Sequence, residues 1–336
     1  MTPPPTGSTS SRIGRSLPVT VRAAAKINLH LGVGAPREDG FHPLTTVYQA
    51  IGLCDDVTAT RHGDADSDSG SDSDSGSDSG RGLRVVVGGS DWIDLDAVPT
   101  DQRNLAHAAA TALGRLHGRE LEGRLDIEKA IPVAGGLAGG SADAAAALVA
   151  LDRAFDLDTS DDDLLRIAAE LGSDVPFALI GGTALGTGRG ELVEPVADVG
   201  TWWWVLVPDR AGLSTPEVYR HFDRLFPDAP AEPPSADLLL GALRTGQAVS
   251  LARALHNDLQ EAAIDLRPEL GELIGRGESE GALRGLVSGS GPTCVFLCES
   301  ADHARDLAGA LIRSGHDNVL VANGAVAGAH LVKDHA

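Results

Sequence analysis

The 336 residues are enough for two ordinary domains or one large one, and at 42% hydrophobic and 22% charged they can build a sizeable core. The formal net charge of −21 argues against a nucleic-acid backbone as partner. No apolar run approaches the roughly 18 residues that would cross a membrane.

Residues 1–17 lack the apolar stretch of a secretory signal, and Pro3, Pro4 and Pro5 suit a disordered tail. From Val19 to Val33 the chain alternates. Val21, Ala23, Ala25, Ile27, Leu29, Leu31 and Val33 fall on one face; Arg22, Lys26, Asn28 and His30 fall on the other. This predicts a long half-buried strand. Its polar face is either solvated or sends Lys26 and Asn28 together into a cleft. A turn ending in Phe41-His42 follows. One strand is expected through Val47 and Ile51, and another ending near Thr60. Residues 64–80 are Asp, Ser, Gly and a single Ala. Such a tract buries no apolar area and is expected to be a disordered, lengthened hairpin loop.

Leu83 to Val87 resumes the sheet. Residues 104–116 predict a helix with Leu105, Ala108, Ala109, Ala112, Leu113 and Leu116 inward. A short strand at 125–128 leads into I-P-V-A-G-G-L-A-G-G-S-A-D, with Gly135, Gly136, Gly139 and Gly140 ahead of an alanine-rich helix. Glycine permits positive φ and close approach, and a helix start presents unpaired N–H groups and partial positive charge. Loop and helix together make an anion site best matched by phosphate. A plain connector is the alternative. The Walker pattern is excluded because Ser141-Ala142 follow Gly140, and the G-x-G-x-x-G fingerprint is absent.

Residues 160–171 predict a helix capped by Ser160 and stopped by Gly172. Ser173-Asp174-Val175-Pro176 then opens a short helix, where Asp174 is either a cap or a functional carboxylate at the positive end. Residues 194–200 read as a domain link. A strand at 201–208 places Trp202 and Trp204 on one face as core or domain contacts. Thr215-Pro216 starts a helix carrying Tyr219. Residues 251–264 and 269–279 are expected to be helical. Ser288-Gly289-Ser290-Gly291 is a second glycine loop, this one running into a strand. A helix at 301–314 and a strand at 319–322 close a pattern that predicts an α+β sandwich of ferredoxin type. Cys54, Cys294 and Cys298 form no CxxC pair and read as reduced thiols of a cytoplasmic protein. The eleven His show no metal-binding H-E-x-x-H, so no metal ligand is assigned.

Four stretches in order resemble the GHMP kinases, the small-molecule kinases of galactose, homoserine, mevalonate and phosphomevalonate type. They are Ala25-Lys26-Ile27-Asn28-Leu29, the loop from Pro132 to Ala145, Gly172 to Phe177, and Ser288 to Gly291. Lys26 to Leu29, Asp39-Gly40-Phe41-His42 and Asn257-Asp258-Leu259 are similar to one subgroup. Its members phosphorylate the 2-hydroxyl of a methylerythritol carrying a cytidine diphosphate group, in the non-mevalonate isoprenoid route.

The resemblance implies a two-domain fold. Residues 18–195 would be an ATP-binding domain like the second domain of ribosomal protein S5, and residues 196–331 a ferredoxin-like C-terminal domain. It implies Asp174 as the base and Lys26 beside it. It implies ATP binding by Pro132, Val133, Ala134, Gly135, Gly136, Leu137, Ala138, Gly139, Gly140 and Ser141, with Asn104 and Lys129 toward the adenine. His42 would read the cytosine, Phe41 and Tyr219 would sandwich it, and Asn28, Thr215, Ser288, Gly289, Ser290 and Gly291 would complete the substrate site. Phe41 stands where a Tyr is often found in the subgroup. Magnesium would arrive with ATP. Partners would be small molecules, with no nucleic acid and no membrane, and the chain a monomer or homodimer. A kinase for another small alcohol, and a nucleotide-binding module without turnover, are the alternatives.

Overall fold

The computed structural model describes residues 17–61, 82–133, 135–209 and 211–332. The expected tail, apart from Leu17, and the acidic tract at 64–80 lie outside these residues, as does Ala134.

Strands β1 (Val19–Val33) and β2 (Leu44–Arg61) pair antiparallel along most of their length. Contrary to expectation, β1 is not half-buried. Every residue from Ala23 to Val33 is buried, on both faces. The apolar face lies on helix α2, described below, and the polar face forms the floor of a cleft. The two strands expected between Val47 and Thr60 are one. Gly52 and Leu53 fall between the pairs Ala25–Ile51 and Ala24–Cys54, a bulge that bends β2 without ending it.

Strand β3 (Leu83–Gly89) runs parallel to β4 (Gly123–Lys129), and β4 pairs antiparallel with β2. Strands β2 and β3, on either side of the acidic tract, are therefore not the hairpin partners expected, because β4 lies between them. A parallel pair needs a crossover, and helix α1 (Leu105–Leu116) supplies it. The buried residues of α1 are Ala106, Ala109, Ala110, Leu113 and Gly114, a stripe rotated from the expected one that leaves Leu116 exposed.

Helix α2 (Gly139–Ala154) is buried almost all round. Its small side chains let α1, β1 and β2 approach closely. Helix α3 (Asp161–Leu171) starts at Ser160, whose hydroxyl accepts from the Asp163 N–H, and stops at Gly172. Helix α4 (Val175–Ile180) follows. Strands β5 (Thr183–Thr187) and β6 (Leu192–Pro195) form a hairpin added to β2; no strand is expected here from the sequence, and β6 takes up the first two residues of the expected link at 194–200.

The second half carries β7 (Trp202–Val207), α5 (Thr215–Leu225), α6 (Asp237–Leu243), α7 (Ala248–Ala254), β8 (His256–Asn257), α8 (Gln260–Leu266), α9 (Pro268–Ser279), β9 (Arg284–Val287), β10 (Cys294–Cys298), α10 (Ala301–Arg313), β11 (Leu320–Gly324) and β12 (His330–Leu331). Strand order β11-β7-β10-β9, antiparallel throughout, is the expected ferredoxin-type arrangement. Gly324 of β11 pairs with Ile51 of β2, so a single mixed sheet joins both halves. Trp202 and Trp204 are core residues at this junction; the Trp204 indole N–H donates to Gln49 Oε1 at 2.8 Å. The architecture is α+β.

The expected helix over 251–264 is broken in two. Asn257 and Asp258 spend their side chains outside a helix. The Asn257 amide donates to the carbonyls of Val287 and Gly289, each at 2.8 Å, and the Asp258 carboxylate accepts from the Val33 N–H at 2.8 Å. These bonds fix β8 beside β1 and hold the second glycine loop in place.

Candidate active site

A cleft of about 840 Å³ opens between the two halves, lined by residues of both glycine loops, β1, β2, α5 and the start of α4. One end of it is formed by the loop before α2. Ala138 takes φ +58°, and α2 begins at Gly139, so that Gly139, Gly140 and Ser141 of its first turn line the cleft. Gly136, at φ +77°, lies against the second loop; a Cβ there would stand 2.5 Å from the Ser288 carbonyl oxygen. Further bonds tie the loop down. The Lys26 N–H donates to the Leu137 carbonyl at 3.1 Å, and the Ser288 hydroxyl donates to the Gly136 carbonyl at 3.3 Å.

Lys26 and Asp174 meet in the middle. The Lys26 ammonium lies 3.7 Å from Asp174 Oδ2 and donates to Asn28 Oδ1 at 2.8 Å. The Asn28 amide donates to the Thr46 hydroxyl at 2.8 Å, which donates to the His30 carbonyl. This chain of bonds runs along buried strand backbone, so the ammonium has little freedom. Asp174 makes no side-chain cap to α4, and its side chain is 29% exposed. The cap alternative is therefore not what the structure shows; the carboxylate faces the cleft. Tyr48 completes this centre. Its ring lies 5.7 Å below the Lys26 ammonium, and burial, then the charge of Asp174, push its phenol well above the usual range. Gly186 and Gly190 make room for this side chain: a Cβ on Gly186 would stand 2.7 Å from the ring, and one on Gly190 2.3 Å from the phenol oxygen.

At the opposite end stand Phe41, His42 and Tyr219. His42 is buried, and its Nδ1 donates to the Gly34 carbonyl at 2.8 Å. Its ring packs on Tyr219 at 5.0 Å, and Nε2 lies 3.5 Å from Asp223 Oδ1. Phe41 is half exposed at the cleft rim, with the Arg189 guanidinium 5.1 Å over its ring. The Thr215 and Ser290 hydroxyls are bonded at 2.8 Å across the cleft wall.

Beneath the loop before α2 lies a buried ionic triad. The Lys129 ammonium donates to Asp55 Oδ2 and, at 2.7 Å, to Asp143 Oδ2. Asp55 Oδ1 also accepts the N–H groups of Ala130 (2.6 Å) and Ile131 (2.8 Å), fixing the chain as it enters the loop. Burial works against the Lys129 charge, but the two carboxylates outweigh it and hold its pKa above the usual value. Asn104 caps α1: its Oδ1 accepts from the Ala106 N–H, and its amide donates to the Pro99 carbonyl.

Of the residues expected at the site, Lys26, Asn28, Phe41, His42, Asn104, Lys129, Pro132, Val133, Gly135, Gly136, Ala138 to Ser141, Asp174, Thr215, Tyr219 and Gly289 to Gly291 line this one cleft. Leu137 and Ser288 stand behind its wall, fully buried. Ala134 is outside the described residues. Four residues went unassigned in the sequence: Tyr48, Asp55, Asp143 and Arg189. Tyr48 sits opposite Asn28 in the β1–β2 register, a placement that no local pattern gives. Asp55 and Asp143 had no signal beyond being acids inside apolar runs.

Two family models match the chain: the GHMP kinases N terminal domain over residues 104–182 and the GHMP kinases C terminal over residues 239–317. A Nocardioides protein named 4-diphosphocytidyl-2-C-methyl-D-erythritol kinase is 68% identical over 312 residues, covering 93% of this chain and 99% of that protein. The chain belongs to the GHMP kinase family. A Thermobifida fusca protein of the same name is 50% identical over 315 residues, covering 94% of this GHMP kinase and 98% of the relative. A crystal structure of 4-(cytidine 5'-diphospho)-2C-methyl-D-erythritol kinase superposes with a TM-score of 0.70 at 30% identity, covering 90% and 98% of the two chains. A homoserine kinase from Cytophaga hutchinsonii matches with a TM-score of 0.69 at 16% identity, a likeness of fold alone. This GHMP kinase is an ATP-dependent small-molecule kinase. Among the described residues no helix is long and apolar enough to cross a membrane.

Proposed function

We propose that this GHMP kinase phosphorylates the 2-hydroxyl of 4-diphosphocytidyl-2-C-methyl-D-erythritol, with Asp174 as base and Lys26 as the cation beside it, in the cytoplasm. The observation that carries the reading is the pairing of an uncapped, cleft-facing Asp174 with a Lys26 locked by Asn28 and Thr46. A module that only bound nucleotide would have no use for a fixed ammonium beside a free carboxylate.

ATP supplies the phosphoryl group and, with it, the magnesium ion. The cleft suits ATP: a positive-φ loop and a helix start offer N–H donors to phosphate oxygens. Phosphoryl transfer needs positioning and charge stabilisation more than covalent chemistry. Asp174 takes the proton of the acceptor hydroxyl. Lys26 offsets negative charge that gathers on the transferring group. Phe41 and Tyr219 hold the cytosine between their faces, and His42, oriented by Gly34, reads its edge. We read residues 18–195 as the nucleotide-binding domain and 196–331 as the second domain.

The test is a product assay. The purified chain with magnesium and ATP is offered 4-diphosphocytidyl-2-C-methyl-D-erythritol, homoserine, mevalonate and galactose. The first alone should yield a phosphorylated product by mass spectrometry. Brisk turnover of another alcohol, with none of the first, would overturn the reading.

A further inference from the structure

The buried triad carries an imbalance. It holds one ammonium and two carboxylates, all almost fully buried. Asp55 is fully satisfied as an acceptor, because Lys129, Ala130 and Ile131 together give it three donors. Asp143 accepts from Lys129 alone. Its Oδ1 is buried and has no partner, and the residue lines the cleft in the second turn of α2, beside Gly139 and Gly140. A buried, unpartnered carboxylate oxygen is unfavourable as an anion, and more so beside a polyphosphate.

We propose that Asp143 is the neutral, proton-bearing acid of this triad and that its Oδ1–H donates a hydrogen bond to an acceptor oxygen of the nucleotide. The proposal rests on the reading of the cleft as an ATP site. The proton makes the triad neutral overall and turns an orphaned acceptor into a donor where phosphate oxygens need one. Burial supports this, pushing the Asp143 carboxyl up to about 7 although Lys129 pulls the other way.

The elements packed on α2 are α1, α3, α4, β1, β2 and β12. Lys129 of β4 and Asp55 of β2 face Asp143 directly. The other ionisable groups placed on or next to these elements that line the cleft are Lys26 and Tyr48 on β1 and β2, Asp174 before α4 and Arg103 ahead of α1. None of them bonds to Asp143 Oδ1.

The experiment titrates ADP into the full chain by calorimetry from about pH 6 to about pH 8.5, for wild type and for Asp143→Asn. ADP has its own phosphate ionisation, so the quantity read is the ratio of the two dissociation constants. The Asn amide can keep one acceptor toward Lys129 and present an N–H to the nucleotide. The variant therefore mimics the protonated acid at every pH. Wild type should lose at least about tenfold in affinity relative to Asp143→Asn across that range, as one proton is lost. A second readout is independent of affinity. Difference infrared spectra of the wild-type ADP complex at low pH should show the carbonyl stretch of a protonated carboxyl, missing in Asp143→Asn. A constant ratio, a ratio that moves the other way, or no such band would overturn the proposal. A wild type that binds no ADP at the acid end would overturn the nucleotide-site reading and this proposal with it, an outcome distinct from binding with a constant ratio.

Discussion

The Lys26 ammonium stands 3.7 Å from the Asp174 carboxylate, and the two arrive there from different constraints. Lys26 comes from a strand buried on both faces and is held by Asn28. Asp174 comes from the turn between α3 and α4, where Gly172 ends one helix and Pro176 suits the next. Lys26→Ala should therefore lower turnover by about 10²-fold or more, the usual weight of a preorganised charge in a dry site. ATP affinity should fall less. Steady-state kinetics with separate binding measurements separate the two.

Tyr48 touches the same pair from below. Its phenol stays protonated at working pH, because burial and Asp174 both push it up. Tyr48→Phe keeps the ring under Lys26 and removes only the hydroxyl. Turnover should fall by about 2- to 10-fold, the worth of one hydrogen bond, with the melting temperature little changed. A loss as large as that of Lys26→Ala would give Tyr48 a direct part in the chemistry.

The two residues just discussed show how far the sequence could be read. The strand carrying Lys26 and Asn28, the loop before α2 and the helix start at Asp174 follow from alternation, glycine spacing and caps, which are local. Tyr48 and Asp55 are placed by pairing across the sheet, and Asp143 by the packing of α2 against it, neither of which is local. Asp55 lies beside a bulge in β2, and nothing in its neighbours announces three donors converging on it. The same applies to Asn257: in a window of helix formers it reads as helical, and only the second glycine loop, thirty residues on, claims its side chain. The β5–β6 hairpin was missed because its short strands hold few alternating apolar residues and earn their stability by pairing with β2.

The triad makes a prediction about stability. Asp143 keeps its proton in the folded chain up to about pH 7, whereas an unfolded aspartate loses it near its ordinary value of 3.8. The folded state thus binds more protons across that window, so stability should decline as pH rises through it. Asp143→Asn should flatten this part of the curve in chemical denaturation. Lys129→Met removes the triad's cation and leaves two buried carboxyl groups without their shared donor, and should cost about 3–5 kcal/mol of stability. A denaturation midpoint unmoved by Lys129→Met would mean that the triad is more open to water than the structure has it.

Specificity should reside at the far end of the cleft. Tyr219→Ala removes a stacking face remote from the reacting hydroxyl, so it should raise KM for the cytidine diphosphate substrate more than it lowers kcat. A uridine analogue reverses donor and acceptor at the ring's 4-position and leaves buried groups unpaired. Its kcat/KM should be at least about tenfold lower. Equal kcat/KM for the two nucleotides would remove His42 from base recognition.

The central claim is that Asp174 is the base, and Asp174→Asn tests it most directly. The substitution is nearly isosteric, and Asp174 caps nothing in α4, so the fold should hold. Single-turnover rates with saturating ATP and 4-diphosphocytidyl-2-C-methyl-D-erythritol should fall by about 10² to 10⁴, the usual share of a general base. The dissociation constant for ATP should change little. Near-normal turnover by a folded, ATP-binding Asp174→Asn enzyme would contradict the account.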